Sequence, residues 1–392
     1  MGWKHALRLV SSATLISLAQ LSVACAGDFV IGVINPMTGP GADMGTWARR
    51  ALEPVVTELN AHGGINGMQI KLIFRDDESN PQKAVAAVYE LIQRQRVNMI
   101  MGAHLTHVAA AISPIINQAK VPFIVFGTGA ALIDPVKLPY SFRFNMTTAE
   151  EASVLVSYAE KNGWSQPAFL VDPTAYGQSG EKMLNLELAK RNVKPVAAET
   201  FSMGDTDMTG QFIALQKASP NVLFVWGLGT MLAQAARSAD RVAFDKPVLG
   251  SIGLHQEGFV ELAGSAGKKW AGTFFRAFTR SENEPAPERT RAFVDKIAGL
   301  YGSQLNKSMS TIMSAAPWDD AIRDIVETLN RSGAKTGDEI KAALESAPPF
   351  HGILTTYTFG PQKHDGYDER DIAIAYGLGV ERAIRLRVPE AP

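Results

Sequence analysis

The chain has 392 residues, 46% of them hydrophobic and 20% charged, enough for two domains with cores of their own. Its 38 lysines and arginines against 39 aspartates and glutamates leave a formal net charge of −1. No charge excess draws it to nucleic acid or to an anionic membrane surface, so neither is expected as a partner.

The first segment has the pattern of an export signal. Lys4 and Arg8 give a positive start, residues 9–23 are mostly apolar but broken by serines, and Ala24-Cys25-Ala26 is an A-x-A cleavage pattern. A membrane span needs about 20 apolar residues, more than this segment or any other supplies. Residues 1–26 are therefore expected to be cleaved. Cys25 is the only cysteine. It also fits a lipidation box, except that Ser22 stands where such a box usually carries leucine. A lipid anchor is thus the alternative to simple cleavage. In both cases the folded body has no cysteine, which excludes disulfides, thiol catalysis and cysteine-ligated zinc.

Strands and helices then alternate. Residues 30–34 are a short apolar, β-branched run, a buried strand. A glycine-rich turn over 39–45 leads to a helix over 48–59, with apolar residues at Leu52, Val55, Val56 and Leu59 and a kink predicted at Pro54. Gly63-Gly64 ends it. Residues 70–74 suit a strand, and Asn80-Pro81 opens a helix in cap-then-proline order. Strands follow at 98–101 and 122–126 with an alanine-rich helix between them. Such alternation implies βαβ crossovers and a parallel sheet.

The pattern restarts at two overlapping capping boxes, Thr147-x-x-Glu150 and Thr148-x-x-Glu151. Strands at 168–171, 222–226 and 247–250 alternate with helices near 180–191, 209–218 and 230–242, a second α/β unit. Residues 288–346 are mainly helical, with a capping box at Thr336-x-x-Glu339, and 352–387 have the character of short strands and turns. No low-complexity linker separates the units, so the chain is expected to pass between them more than once.

Four loops follow predicted strands: 35–41, 102–107, 127–130 and 172–177. In open α/β sheets, ligands bind at the carboxyl ends of the strands. Thr106 and Thr128 fall beside free backbone N–H groups at helix starts, which suit a carboxylate; capping their own helices is the alternative role. Gly127-x-Gly129 is half a dinucleotide fingerprint, with Leu132 where the third glycine belongs. His104 and His107 have no nearby carboxylate to complete a metal site. The acidic run Asp76-Asp77-Glu78 follows a strand and has the composition of a solvated turn, with cation binding the alternative. No G-x-S-x-G elbow is present. Neither cofactor nor metal is expected.

Together these stretches resemble the type I periplasmic-binding proteins of the Leu/Ile/Val-binding class. The resemblance rests on Ile31-Gly32-Val33-Ile34, Thr38-Gly39-Pro40 and, most specifically, Asn60-Ala61-His62-Gly63-Gly64-Ile65-Asn66-Gly67. It continues through Asp76-Asp77 with Pro81 and Ala84, Gly102 with Thr106, residues 121–124, Phe142-Arg143, Tyr176-Gly177 and Gly250-Ser251. It implies an α/β fold of two Rossmann-like lobes with parallel sheets, joined by three crossover strands near 145–148, 273–278 and 350–354. Lobe 1 would be residues 27–147 plus 276–352, and lobe 2 residues 148–275 plus 353–392.

The resemblance also implies a ligand in the cleft, a hinge closure and a periplasmic location. Partners would be an ABC transporter permease and its ATPase, and the protein would be a monomer without enzymatic activity. A periplasmic sensor of the same fold is the alternative. Thr106 and the Thr128-Gly129 pair match the positions that hold an α-carboxylate, Tyr176 the tyrosine that closes over the ligand, and Thr38 lies in the first cleft loop. The acid that usually holds an ammonium is missing from Gly250-Ser251-Ile252-Gly253, and Ile252 cannot replace it. An aromatic or aliphatic acid is therefore expected, with amino acids the alternative. Met37, Trp47, Trp226 and Leu228 are candidates for an apolar wall, and His107 for a further donor to the carboxylate.

Overall fold

The computed structural model describes residues 27–39, 41–202, 204–279, 286–302 and 310–376. The expected signal, Cys25 and the stretch past residue 376 lie outside the described residues. β1 (Phe29–Asn35) is apolar along most of its length and buried on both faces, as a central parallel strand must be. It is flanked by β2 (Ile70–Asp76) and β3 (Met99–Gly102), with β4 (Phe123–Val125) and β5 (Ser141–Arg143) beyond, all parallel in the order β2-β1-β3-β4-β5. α1 (Ala42–Ala61) and α10 (Ser310–Ser332) cover one face; α2 (Pro81–Gln93) and α3 (Thr106–Gln118) cover the other.

α1 runs unbroken through Pro54. A proline leaves the carbonyl four residues earlier without its donor, and here the Tyr301 hydroxyl donates to the Arg50 carbonyl at 2.6 Å. α2 begins as expected, the Asn80 side chain accepting from Gln82 N at 2.8 Å and Lys83 N at 3.2 Å.

The second sheet takes β6 (Pro167–Val171), β7 (Ala197–Thr200), β8 (Val222–Trp226), β9 (Val248–Gly250), β10 (Trp270–Phe275) and β13 (Ile372–Tyr376), in the order β13-β10-β9-β8-β6-β7. Only β13 is antiparallel to its neighbour. α4 (Thr148–Lys161) and α5 (Ala175–Ala189) lie on one face; α6 (Thr209–Lys217), α7 (Gly229–Arg241) and α8 (Glu257–Ala263) on the other. β7 was not expected; it is a short edge strand with alternate residues exposed.

α9 (Glu288–Tyr301), α10, α11 (Gly337–Glu345) and the hairpin β11 (Phe350–His351)–β12 (Thr356–Tyr357) return to the first lobe. The chain leaves the first sheet after β5, at Arg143, and enters the second unit with α4 at Thr148; it leaves the second sheet after β10, at Phe275. Residues 350–354 are not a crossing. The buried Asp320 carboxyl on α10 accepts from Ile353 N at 2.6 Å, Leu354 N at 3.0 Å and the Tyr357 hydroxyl at 3.0 Å, which pins this hairpin to lobe 1. Asp365 still pairs with Arg143 on β5. The third crossing therefore comes between 366 and 372, and residues 353–365 go with lobe 1, not with lobe 2.

Candidate functional site

Loops from the carboxyl ends of both sheets line one cavity of about 240 Å³. That is below the roughly 300–1,000 Å³ of drug-sized pockets, so it suits a single small metabolite. Lobe 1 contributes Asp43, Met44, Ser79, His104, Leu105, Thr106, His107, Thr128 and Asn145; lobe 2 contributes Thr174, Tyr176, Leu228, Ile252, Gln256 and Phe275. Seven buried side-chain polar atoms lack a partner among the described residues, and five of them end a strand or come within two residues after one: Asn35 Nδ2, Asp77 Oδ2, His104 Nδ1, Asp172 Oδ2 and Trp226 Nε1. Unpaired polar atoms are costly inside a protein, and their gathering at these strand ends sets the region apart from an ordinary core.

The α3 N-terminus opens onto this cavity. Its N-cap position, Leu105, offers no side-chain cap, and the first N–H in the helix ladder is that of Ala109, bonded to Leu105 O at 2.9 Å. The N–H groups of Thr106, His107 and Val108 are thus free for a ligand. His107 Nε2 donates to the Ser79 carbonyl at 3.2 Å. His104 stacks on Phe126 and is held neutral, because burial lowers its pKa to about 4. Glu78, Ser79 and Ala103 take left-handed φ values of 51°, 60° and 53° around the same rim, the kind of backbone strain found at ligand clamps.

The charges lining the cavity are of one sign. Asp43 and Glu78 are present, and no lysine or arginine among the described residues joins them. Burial raises the Asp43 carboxyl above its usual range, opposed by the N–H groups of Met44 and of Asp43 itself. An anionic group therefore has backbone N–H groups and hydroxyls for partners, not a side-chain cation. The apolar part of the wall comes from Met44, Leu105, Leu228, Ile252 and Phe275.

Of the residues singled out in the sequence, Thr106, His107, Thr128, Tyr176, Leu228 and Ile252 are brought together here. Neither threonine caps its helix. Gly129 stands just behind, and a Cβ on it would overlap the Thr106 methyl. Trp226 is a layer deeper, fully buried, with its ring edge to face with Tyr176 at 5.9 Å. Trp47 faces away, edge-on to Tyr301 at 5.6 Å with Arg50 over its ring. Thr38 is held outside the cavity by Asp76, whose carboxylate accepts from the Thr38 hydroxyl at 2.7 Å and from Met37 N at 2.9 Å. The acidic run is thus not a solvated turn. Asp76 pins the first loop, and Asp77 is fully buried with its pKa raised to about 6 by burial.

Two buried charged residues support the lining loops. Arg143 donates to the carbonyls of Gly127 and Gly129, each at 2.9 Å, on either side of Thr128. Glu151 reaches from the first turn of α4 into the second sheet's strand ends, where its Oε1 accepts from Ile252 N, in the loop after β9, at 2.8 Å and from the hydroxyl of Thr273, on β10, at 2.5 Å. Its Oε2 is buried without a partner. An acid therefore does stand beside the loop that lacks one, supplied by a helix about a hundred residues earlier. Burial raises its pKa to about 7. Burial likewise holds the Tyr176 phenol well above its ordinary range, with the Glu151 carboxylate adding to the shift.

The sequence model of a family described as periplasmic binding protein matches residues 29–375. A protein of Brucella melitensis named Leu/Ile/Val-binding protein homolog 3 is 24% identical over 356 residues, 90% of this chain and 93% of its own length. Two solved structures share the fold. One is a branched-chain amino acid transporter substrate binding protein from Streptococcus pneumoniae in complex with isoleucine, with a TM-score of 0.75 and 23% identity, covering 89% of this chain and 95% of that one. The other is a solute binding protein of an ABC transporter from Rhodopseudomonas palustris in complex with 3,4-dihydroxy benzoic acid, with a TM-score of 0.75 and 22% identity, covering 92% and 99%.

Proposed function

The chain belongs to the periplasmic binding protein family, and on that premise we propose that it is the substrate-binding component of an ABC importer. It closes two lobes on a small carboxylate-bearing molecule and delivers it to a membrane permease and its ATPase. It acts in the periplasm, as a monomer, and changes nothing in its ligand. One observation carries the ligand assignment: the uncapped N-terminus of α3 opens into a cavity with no lysine or arginine among its described lining residues. There the N–H groups and the helix dipole favour a single carboxylate, with the Thr106 and Thr128 hydroxyls as the adjoining donors; the ring donor of His107, expected to join them, is taken by the Ser79 carbonyl.

The favoured ligand is an aromatic or aliphatic acid. Met44, Leu105, Leu228, Ile252 and Phe275 give the cavity an apolar part, and Ile252 falls where the resemblance places the acid that holds an ammonium. Two observations favour the second reading, an amino acid: Asp43 and Glu78 put carboxyl groups in the cavity lining, and Glu151, behind Ile252 and beside Tyr176, has a carboxylate oxygen to spare. That oxygen has no contact with the open cavity, and burial favours its neutral form, so the first reading is preferred.

A thermal-shift panel of benzoate, hydroxybenzoates, hexanoate and branched-chain amino acids tests both, since a ligand that binds only the folded state raises its melting temperature. Shifts with acids alone are expected, and Thr106→Ala should weaken that binding by about ten-fold or more, the worth of a hydrogen bond to a charged group. A strong shift with leucine that Glu151→Gln abolishes would replace the first reading with the second.

A further inference from the structure

Arg143 ends β5, and its side chain is completely buried. Its guanidinium is divided between two segments. Nη1 donates to the carbonyls of Gly127 and Gly129, each at 2.9 Å. Nε and Nη2 donate to the two carboxylate oxygens of Asp365, at 2.6 Å and 3.1 Å. The backbone repeats the connection, with Arg143 N donating to His364 O at 2.9 Å and Gly366 N to Arg143 O at 3.0 Å. A lysine, with three donors on one point, could not make both forks at once.

The two carbonyls flank Thr128, so the guanidinium fixes the peptide units on both sides of a residue that lines the cavity. Asp365 lies at the start of the third crossing, a few residues before β13 enters lobe 2. The same loop is held from the first crossing as well. Thr148, the first residue of α4, donates its N–H to Thr128 O at 2.8 Å and accepts from Ala130 N at 3.1 Å through its hydroxyl. A rotation of lobe 2 against lobe 1 must bend the chain at these crossings. It therefore pulls on both anchors of the Gly127–Gly129 loop.

We propose that Arg143 is a positioning residue for the ligand, and that Asp365 is the residue through which the interlobe hinge sets the placement of Thr128. The carboxylate site is then assembled by closure and not merely covered by it. The inference rests on the reading of Thr128 as part of the ligand site.

The variant to use is Asp365→Asn. Its side chain is partly exposed, so it can fold, and it turns an amide toward the guanidinium in place of a carboxylate oxygen. Arg143→Lys is the second variant, keeping the charge but losing the double fork. In ligand-free protein, hydrogen exchange over residues 126–132 should accelerate about ten-fold in both variants, with no change in α10. Unchanged exchange in that loop would overturn the proposal whatever binds. The binding arm is a double-mutant cycle with Thr128→Val. Benzoate is the probe, or L-leucine should the panel select amino acids, so loss of the carboxylic-acid reading does not end the test. Asp365→Asn should weaken binding about ten-fold in the parent and less than about two-fold in the Thr128→Val background. Equal losses in the two backgrounds, or a lowered melting temperature with unchanged affinity, would show that the Asp365 link is structural only.

Discussion

Two capping boxes overlap at the start of α4, and the one that forms decides what the other residue can do. Thr147 takes the cap, its hydroxyl accepting from Glu150 N at 3.1 Å while Glu150 accepts from Thr147 N at 2.8 Å. Glu151, one position further round the helix, is then turned into the protein under Ile252. Its folded pKa, about 7, lies above the 4.5 of a free glutamate. The native state thus holds more protons than the unfolded chain between these values, and this contribution to stability is complete below pH 4.5 and lost as the pH rises through 7. Asp320, raised by burial to about 7, acts in the same direction. The melting temperature should fall between about pH 5 and pH 8, and in Glu151→Gln that fall should be smaller by roughly 3 °C or more. An unchanged fall in the variant would remove Glu151 from this account. The sequence allowed either box and so could not place Glu151. It brought Thr106 and Thr128 forward because each follows a strand, and Tyr176 through the resemblance to the family. It could not separate Leu228, which lines the cavity, from Trp226, which lies a layer deeper, because both flank the same strand end. Phe275 was invisible as a lining residue: it belongs to a crossing strand whose place at the cleft depends on the whole lobe.

The helices and strands follow closely from the periodicity, and the departures have local causes. α1 starts at Ala42, six residues before the expected start at residue 48, and takes Gly45 into its first turns. A Cβ there would overlap the Pro36 carbonyl, so a glycine that suggests a turn in the sequence is a close-packing site within the helix. The predicted kink at Pro54 is replaced by a continuous helix whose orphan carbonyl is paired by Tyr301. Tyr301→Phe should destabilise the protein by about 1 kcal/mol, the ordinary net worth of one hydrogen bond. In a Pro54→Ala background, where the introduced alanine supplies a backbone N–H for Arg50 O, the same change should cost distinctly less. Denaturant unfolding of the four proteins measures the difference, and equal costs would show that the hydroxyl does not serve the proline gap. β7 escaped notice because Ala197–Thr200 is too short and too polar on one face to announce a strand.

At the scale of the whole molecule, the two-lobe plan was legible from the restart of the βα pattern, but the third crossing was not. The hairpin at 350–357 has the turn-rich look of a connection, and its attachment to lobe 1 depends on a carboxyl about thirty residues earlier, on α10. Lobe 1 is accordingly built from two stretches separated by most of lobe 2, with α1 and β1 sealed by α10. A fragment of residues 27–147 leaves that apolar face open. It should bind an apolar dye and self-associate, and the addition of residues 286–366 in the same chain should restore a monomer that unfolds cooperatively. A lone fragment that sediments as a cooperatively unfolding monomer would contradict this. The same plan bears on biosynthesis. A chain that emerges amino end first exposes the strands of its first lobe long before α10 follows, because the second lobe is made in between. Such distant pairing slows folding and leaves a sticky intermediate. Newly made protein is thus expected to need shielding until α10 has been made.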